Sequence, residues 1–179
     1  MRPQWLAIIV NLLGFKACWL VCVFAAAHGQ AWISVLAITV WLCAHLARSP
    51  QPWREAALIL VGAIPGAAWD VVSLRAGLIS YQGSHAIAPG FVVTFLALWI
   101  NFGTTIRVSF HWCWRRPIVA ALMGAAGGPF AYWSGAQMGA IAFPADPLLS
   151  YLIVALQYGL ALPLWFVAAD RTLTPRSAP

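Results

Sequence analysis

Six long apolar runs, separated by short polar breaks, leave this chain few ways to fold. A transmembrane helix needs about 20 consecutive apolar residues. Segments 5–27, 31–47, 56–80, 90–110, 117–142 and 147–169 approach that length. The breaks carry turn chemistry. "HGQ" at 28–30 reads as a tight hairpin, and "RSPQPWRE" at 48–55 holds two prolines and two arginines. "YQGSHAIAPG" at 81–90 is a short polar loop, "HWCWRRP" at 111–117 is basic, and "FPADP" at 143–147 is bounded by prolines. Charge content closes off the soluble alternative. The chain is 8% charged and 63% hydrophobic, against about 25% charge in a soluble domain. The reading is an all-α fold: one polytopic transmembrane helix bundle of six spans over residues 1–170, with a short tail at 171–179.

Orientation follows from the basic residues. Arg2, Arg48, Arg54, Arg115, Arg116, Arg171 and Arg176 lie at one set of loops and termini. The breaks at 28–30, 81–90 and 143–147 contain no Lys or Arg. The positive-inside rule then puts both termini in the cytoplasm. Trp5, Trp53, Trp112 and Trp114 fall at the cytoplasmic ends and Trp32 and Tyr81 at the outer ends, where aromatic belts form. The first apolar stretch is longer than the roughly 7–15 residues of a signal-peptide core and contains Asn11 and Lys16, so it reads as a retained first span. The net charge of +6 is spent on topology, and no Lys/Arg-rich tract points to nucleic acid.

Few catalytic patterns are present. There is no HExxH, no GxSxG and no glycine-rich phosphate loop. Cys18, Cys22, Cys43 and Cys113 show no metal-ligand spacing and read as small core fillers. Ser84 and His85 share an outer loop without further triad signal. No catalytic residue, metal or cofactor is assigned.

Polar residues within the spans are the informative ones. A charge at mid-span costs about 2.5–3.5 kcal/mol on insertion scales, so it faces a partner, water or the bundle interior. Asp70 and Arg75 are five residues apart, about 140° around a helix, away from the pairing positions. Arg75 reads as an outer-interface anchor that snorkels, and Asp70 as the deep acid. Depth counting matches Lys16 to Asp70 as its counter-ion, with Arg107 lower. Asn101, Thr104 and Thr105 share a helix face and add hydrogen bonds; Tyr132 and Gln157 complete the polar set. Three uses stay open: a buried network fixing helix packing, a pocket for a polar or amphiphilic ligand, or a proton pathway. The fifth span carries Gly124/Gly128 and Gly135/Gly139, two GxxxG pairs that let helices approach closely, within the bundle or in a homo-oligomer. Pro65, Pro129 and Pro163 fall inside spans and are expected to kink them.

"NLLGFKACWL" (11–20), the Asp70 stretch and "TTIRVSFHWCWRRPIVAALMGAAGGPFAYWSGAQMGA" (104–140) together resemble an uncharacterised bacterial family of small multi-pass inner-membrane proteins, a domain of unknown function. Lys16 stands where that family usually has Gln, and Arg107 where it usually has Asn. The resemblance implies a bacterial inner-membrane bundle. It also implies a loose link to membrane-lipid modification beside cyclopropane-fatty-acid-synthase-like enzymes.

The expected function is therefore a non-catalytic protein that binds membrane lipid or assists a lipid-modifying enzyme. The alternatives are a small transporter or export factor using an Asp70–Lys16 site, or a structural subunit of a membrane complex.

Overall fold

A computed structural model describes residues 4–81, 86–143 and 146–173. Six helices carry the chain: α1 (Gln4–Ala27), α2 (Ala31–Leu46), α3 (Pro52–Arg75), α4 (Pro89–Ile106), α5 (Pro117–Gln137) and α6 (Pro147–Leu173). A single 3-10 turn, His111–Cys113, lies between α4 and α5. Four helices are long and apolar enough to cross a membrane: α1, α3, α4 and the 147–171 part of α6. The other two fall short for different reasons. α2 is apolar but only 16 residues long, about 24 Å at 1.5 Å per residue. α5 has 21 residues, and its glycines, prolines and polar groups dilute its hydropathy.

Local chemistry sets the helix ends. Proline, whose missing N–H is no loss in a first turn, opens α3, α4, α5 and α6. Asp146 caps α6, its Oδ1 accepting from the backbone N–H groups of Leu148 and Leu149 at 2.9 and 3.2 Å. α1, α3 and α5 all end the same way. Gly29, Gly77 and Gly139 adopt φ of 70°, 73° and 79°. The next residue then bonds back to a carbonyl five positions earlier: Gln30 to Ala25, Leu78 to Ser73, Ala140 to Gly135. This is the Schellman closure, which favours glycine. It stops α3 at Arg75, five residues short of the expected span end, and α5 at Gln137 in place of 142. Beyond the two stops, β1 (Ser80–Tyr81) and β2 (Ile141–Ala142) pair antiparallel, Ser80 with Ala142 and Tyr81 with Ile141.

α4 is the hub. It packs against α1, α2 and α3, while α6 lies between α3 and α5. Glycines permit the closest approaches. A Cβ on Gly124 would lie 2.1 Å from the Tyr158 carbonyl oxygen, and one on Gly128 would lie 2.6 Å from the Tyr158 ring. This pair therefore packs α5 on α6. The second expected pair does not pack: a Cβ on Gly135 meets only an Ile141 methylene at 4.0 Å, and Gly139 is a turn residue with nothing within 4 Å. Three further glycines, Gly14, Gly62 and Gly66, each lie under an indole, of Trp41, Trp165 and Trp99.

Trp5, Trp32, Trp53 and Trp112 are exposed at helix ends. Tyr81 is buried against Phe91, ring centroids 5.6 Å apart, and so leaves the expected belt. Pro65, Pro129 and Pro163 all sit inside continuous helices. The Ser84/His85 pair, Arg2, Arg176 and most of the tail lie outside the described residues.

Candidate functional site

Asp70 is fully buried and its carboxyl gathers donors from three other helices. On α3, Gly66 stands one turn before Asp70, on the same face. With no side chain there, the Trp99 indole of α4 lies against the helix and its Nε1 donates to Asp70 Oδ2 at 2.6 Å. From α6, Gln157 Nε2 donates to Oδ1 at 3.1 Å and reaches the Gly66 carbonyl at 3.4 Å. From α5, the Tyr132 hydroxyl donates to Oδ1. Tyr158 seals the cluster, stacked on Trp99 at 4.6 Å and edge-on to Tyr132 at 6.0 Å. The carboxyl thus holds four helices together, which suits a group that is expensive to bury unpaired.

The expected counter-ion is elsewhere. Lys16 is exposed on α1, with its ammonium 4.9 Å above the Trp19 ring. The depth match with Asp70 fails on two counts: α3 ends at Arg75, which leaves Asp70 five residues from its helix end and Lys16 eleven from its own, and α1 packs mainly on α2 and α4. Among the described residues, both ion pairs involve Glu55 and none involves Asp70. Trp99 was not singled out in the sequence. Its signal was position, because a tryptophan at mid-span lies away from the interfaces where tryptophan concentrates.

Asn101, Thr104 and Thr105 also serve something other than Asp70. Asn101 Nδ2 donates to the Phe15 carbonyl at 2.9 Å, stitching α4 to α1. Asn11 Nδ2 reaches the Thr104 carbonyl at 3.1 Å and its Oδ1 accepts from Ser109 Oγ at 2.5 Å. Trp41 Nε1 of α2 donates to Thr104 Oγ1 at 3.1 Å. The Thr104 and Thr105 hydroxyls bond back to the Asn101 and Phe102 carbonyls. These contacts lock α1, α2 and α4 as one unit.

Arg107 belongs to a third cluster, at the opposite end of α3 from Arg75. Glu55, in the first turn of α3, is 2% exposed. It takes His45 Nε2 at 2.7 Å, Ser49 Oγ at 2.5 Å and Arg107 Nη1 at 3.2 Å. In the sequence Glu55 reads as part of a polar loop; in the fold it is a second buried acid.

Two cavities flank the Asp70 cluster. The larger, of about 270 Å³, is walled by α1, α4, α5 and α6. Tyr132, Tyr158 and the glycine face of α5 line it, with Phe102, Phe110 and Met123 toward one end. Lys16, Gly127 and Phe130 are exposed at its rim, so it opens sideways between α1 and α5. The second, of about 260 Å³, lies between α3 and α6 and is lined by Gly66, Trp99, Gln157 and Trp165. The donors to Asp70 thus form the partition between two apolar hollows. Among the described residues no three His, Cys, Asp or Glu side chains gather to hold a metal.

The family model described as "Protein of unknown function (DUF2878)" matches residues 8–164, and the chain belongs to that family. No curated protein and no solved structure matches it.

Proposed function

We propose that this member of the DUF2878 family is a multi-pass protein of the bacterial inner membrane that holds a lipid acyl chain in the sideways-opening groove between α1 and α5. Six spans with both termini in the cytoplasm are part of the reading, supported by seven arginines at the loops and termini of one side against Arg75 at the other. The observation that carries it is the groove itself. α1 and α5 share no substantial packing, and the gap between them is lined almost entirely by apolar side chains and glycine. A concave apolar site with few polar groups is the usual form of a ligand pocket, and one that opens toward lipid takes an acyl chain. The role is binding or positioning, without catalysis. An accessory role beside a lipid-modifying enzyme rests on the family resemblance alone. The competing reading, a transporter or export factor working through an Asp70–Lys16 site, lacks the pairing it needs.

Gly127 offers the test. A Cβ there meets nothing within 4 Å, so Gly127→Leu fills the groove without striking α6. Native mass spectrometry of the protein purified in mild detergent should find retained lipid on the wild type and little on Gly127→Leu. Equal retention, or none on either, refutes the groove as the binding site. A C-terminal green-fluorescent fusion should fluoresce and a C-terminal alkaline phosphatase fusion should stay inactive. The reverse pattern overturns the orientation.

A further inference from the structure

Among the described residues, Lys16 is the one charged side chain lining the groove, and no acid pairs with it. It stands near the middle of α1, about 18 Å from the start of the helix, where a cation without a partner is costly. Its ammonium lies over Trp19, one turn nearer the end of α1 that adjoins the start of α4; a Cβ on Gly90 would lie 3.4 Å from Ala31 there. Counting from those adjoining ends, Trp19 is about 12 Å deep and Thr94 about 7.5 Å deep. Thr94 also lines the groove. It is 1% exposed and its hydroxyl has no hydrogen-bond partner among the described residues. Thr104 and Thr105 on the same helix show what a threonine hydroxyl does without a ligand: it bonds back to its own helix. A cation without an acid and a hydroxyl without a partner thus lie at neighbouring depths in one groove. Below them the walls are Phe102, Phe110, Met123 and Leu162.

We infer that the groove selects a single-chain fatty acid, its carboxylate between Lys16 and Thr94 and its chain running down toward Phe110. This rests on the acyl-chain reading above and adds the head group to it. One ammonium balances one carboxylate, whereas a phosphomonoester head, at about −1.5 to −2, brings more charge than a single lysine offsets. A cavity of about 270 Å³ is at the small end of ligand sites and suits one chain better than two.

The probes are dibromostearic acid, its methyl ester and a brominated monoalkyl phosphate of equal chain length. Each is titrated into purified protein while it quenches tryptophan fluorescence. Trp19 lies in the groove wall, and the signal from Gly127→Leu is subtracted as background. The acid should bind wild type at least tenfold more tightly than the ester and more tightly than the phosphate. Lys16→Gln should erase the preference for the acid while leaving ester binding unchanged, and Lys16→Arg should keep it. Thr94→Val should weaken the acid several-fold and the ester little. Equal binding of acid and ester by wild type overturns the carboxylate assignment and leaves the groove reading standing. Tighter binding of the phosphate also overturns it. Binding of none of the probes above the Gly127→Leu background overturns both.

Discussion

The two buried acids of α3 are solved in opposite ways. Glu55, in the first turn, is held by His45, Ser49 and Arg107, and it also profits from the positive end of the helix dipole. Asp70, four turns on, has among the described residues only the neutral donors Trp99, Tyr132 and Gln157. Arg107 is 27% exposed along its side chain, so the Glu55 cluster reaches the surface of the bundle. Asp70 is sealed. A cation brought to its depth would need its own route out of the lipid, whereas indole, phenol and amide groups bring hydrogen bonds at a far smaller desolvation penalty than an ion's. The difference teaches that a deep acid need not imply a deep cation, provided that enough neutral donors converge on it.

Substitutions can break this comparison, in a graded order. Asp70→Ala orphans three buried donors at about 1–3 kcal/mol each and should be the most damaging. It is read as a large fall in the Tm of the detergent-solubilised protein followed by size exclusion. An unchanged Tm would mean that the cluster holds nothing together. Gly66→Ala places a Cβ 2.3 Å from the Trp99 indole and should cost about 1–3 kcal/mol as overpacking, with a shift of tryptophan emission as Trp99 leaves Asp70. If emission and Tm both stay at wild-type values, Trp99 does not depend on that close approach. Glu55→Gln keeps the shape and loses the charge, so about 1–2 kcal/mol is expected from weakened charged hydrogen bonds; a loss exceeding that of Asp70→Ala would invert the ranking of the two sites. Arg107→Gln should be smallest, about 0–1 kcal/mol, as for a partly exposed ion pair. A larger effect would show that Glu55 relies on its arginine as a buried pair does.

Much of the layout was readable in advance. All six helices start within four residues of the expected spans, because apolar length and proline punctuation are local properties. Asp70, Tyr132 and Gln157 were picked out as polar residues at depth, and the fold does bring them together. The pairing errors share a cause. Depth along a helix can be counted from the sequence, but the direction in which a residue faces depends on which helices are neighbours. Lys16 was therefore matched to an acid that lies across the bundle. Asn101, Thr104 and Thr105 were credited to Asp70 although they face α1, α2 and their own backbone. Gly139 was taken for a packing residue because its spacing from Gly135 fits GxxxG; its positive φ makes it a helix stop.

What the sequence determined by itself is a helical chain with apolar runs of membrane length, arginines gathered mostly at one set of loops and termini, and one acid deep in an apolar run. Those follow from hydropathy and charge, which each segment carries regardless of its neighbours. Tertiary structure alone decided the partners: Trp99 over Gly66 onto Asp70, Arg107 onto Glu55, and Lys16 out to the rim of a groove. Pairing needs a helix rotation and a neighbour, and both are set by packing, here by glycines that admit an indole or a tyrosine ring at one position and leave a gap at the next.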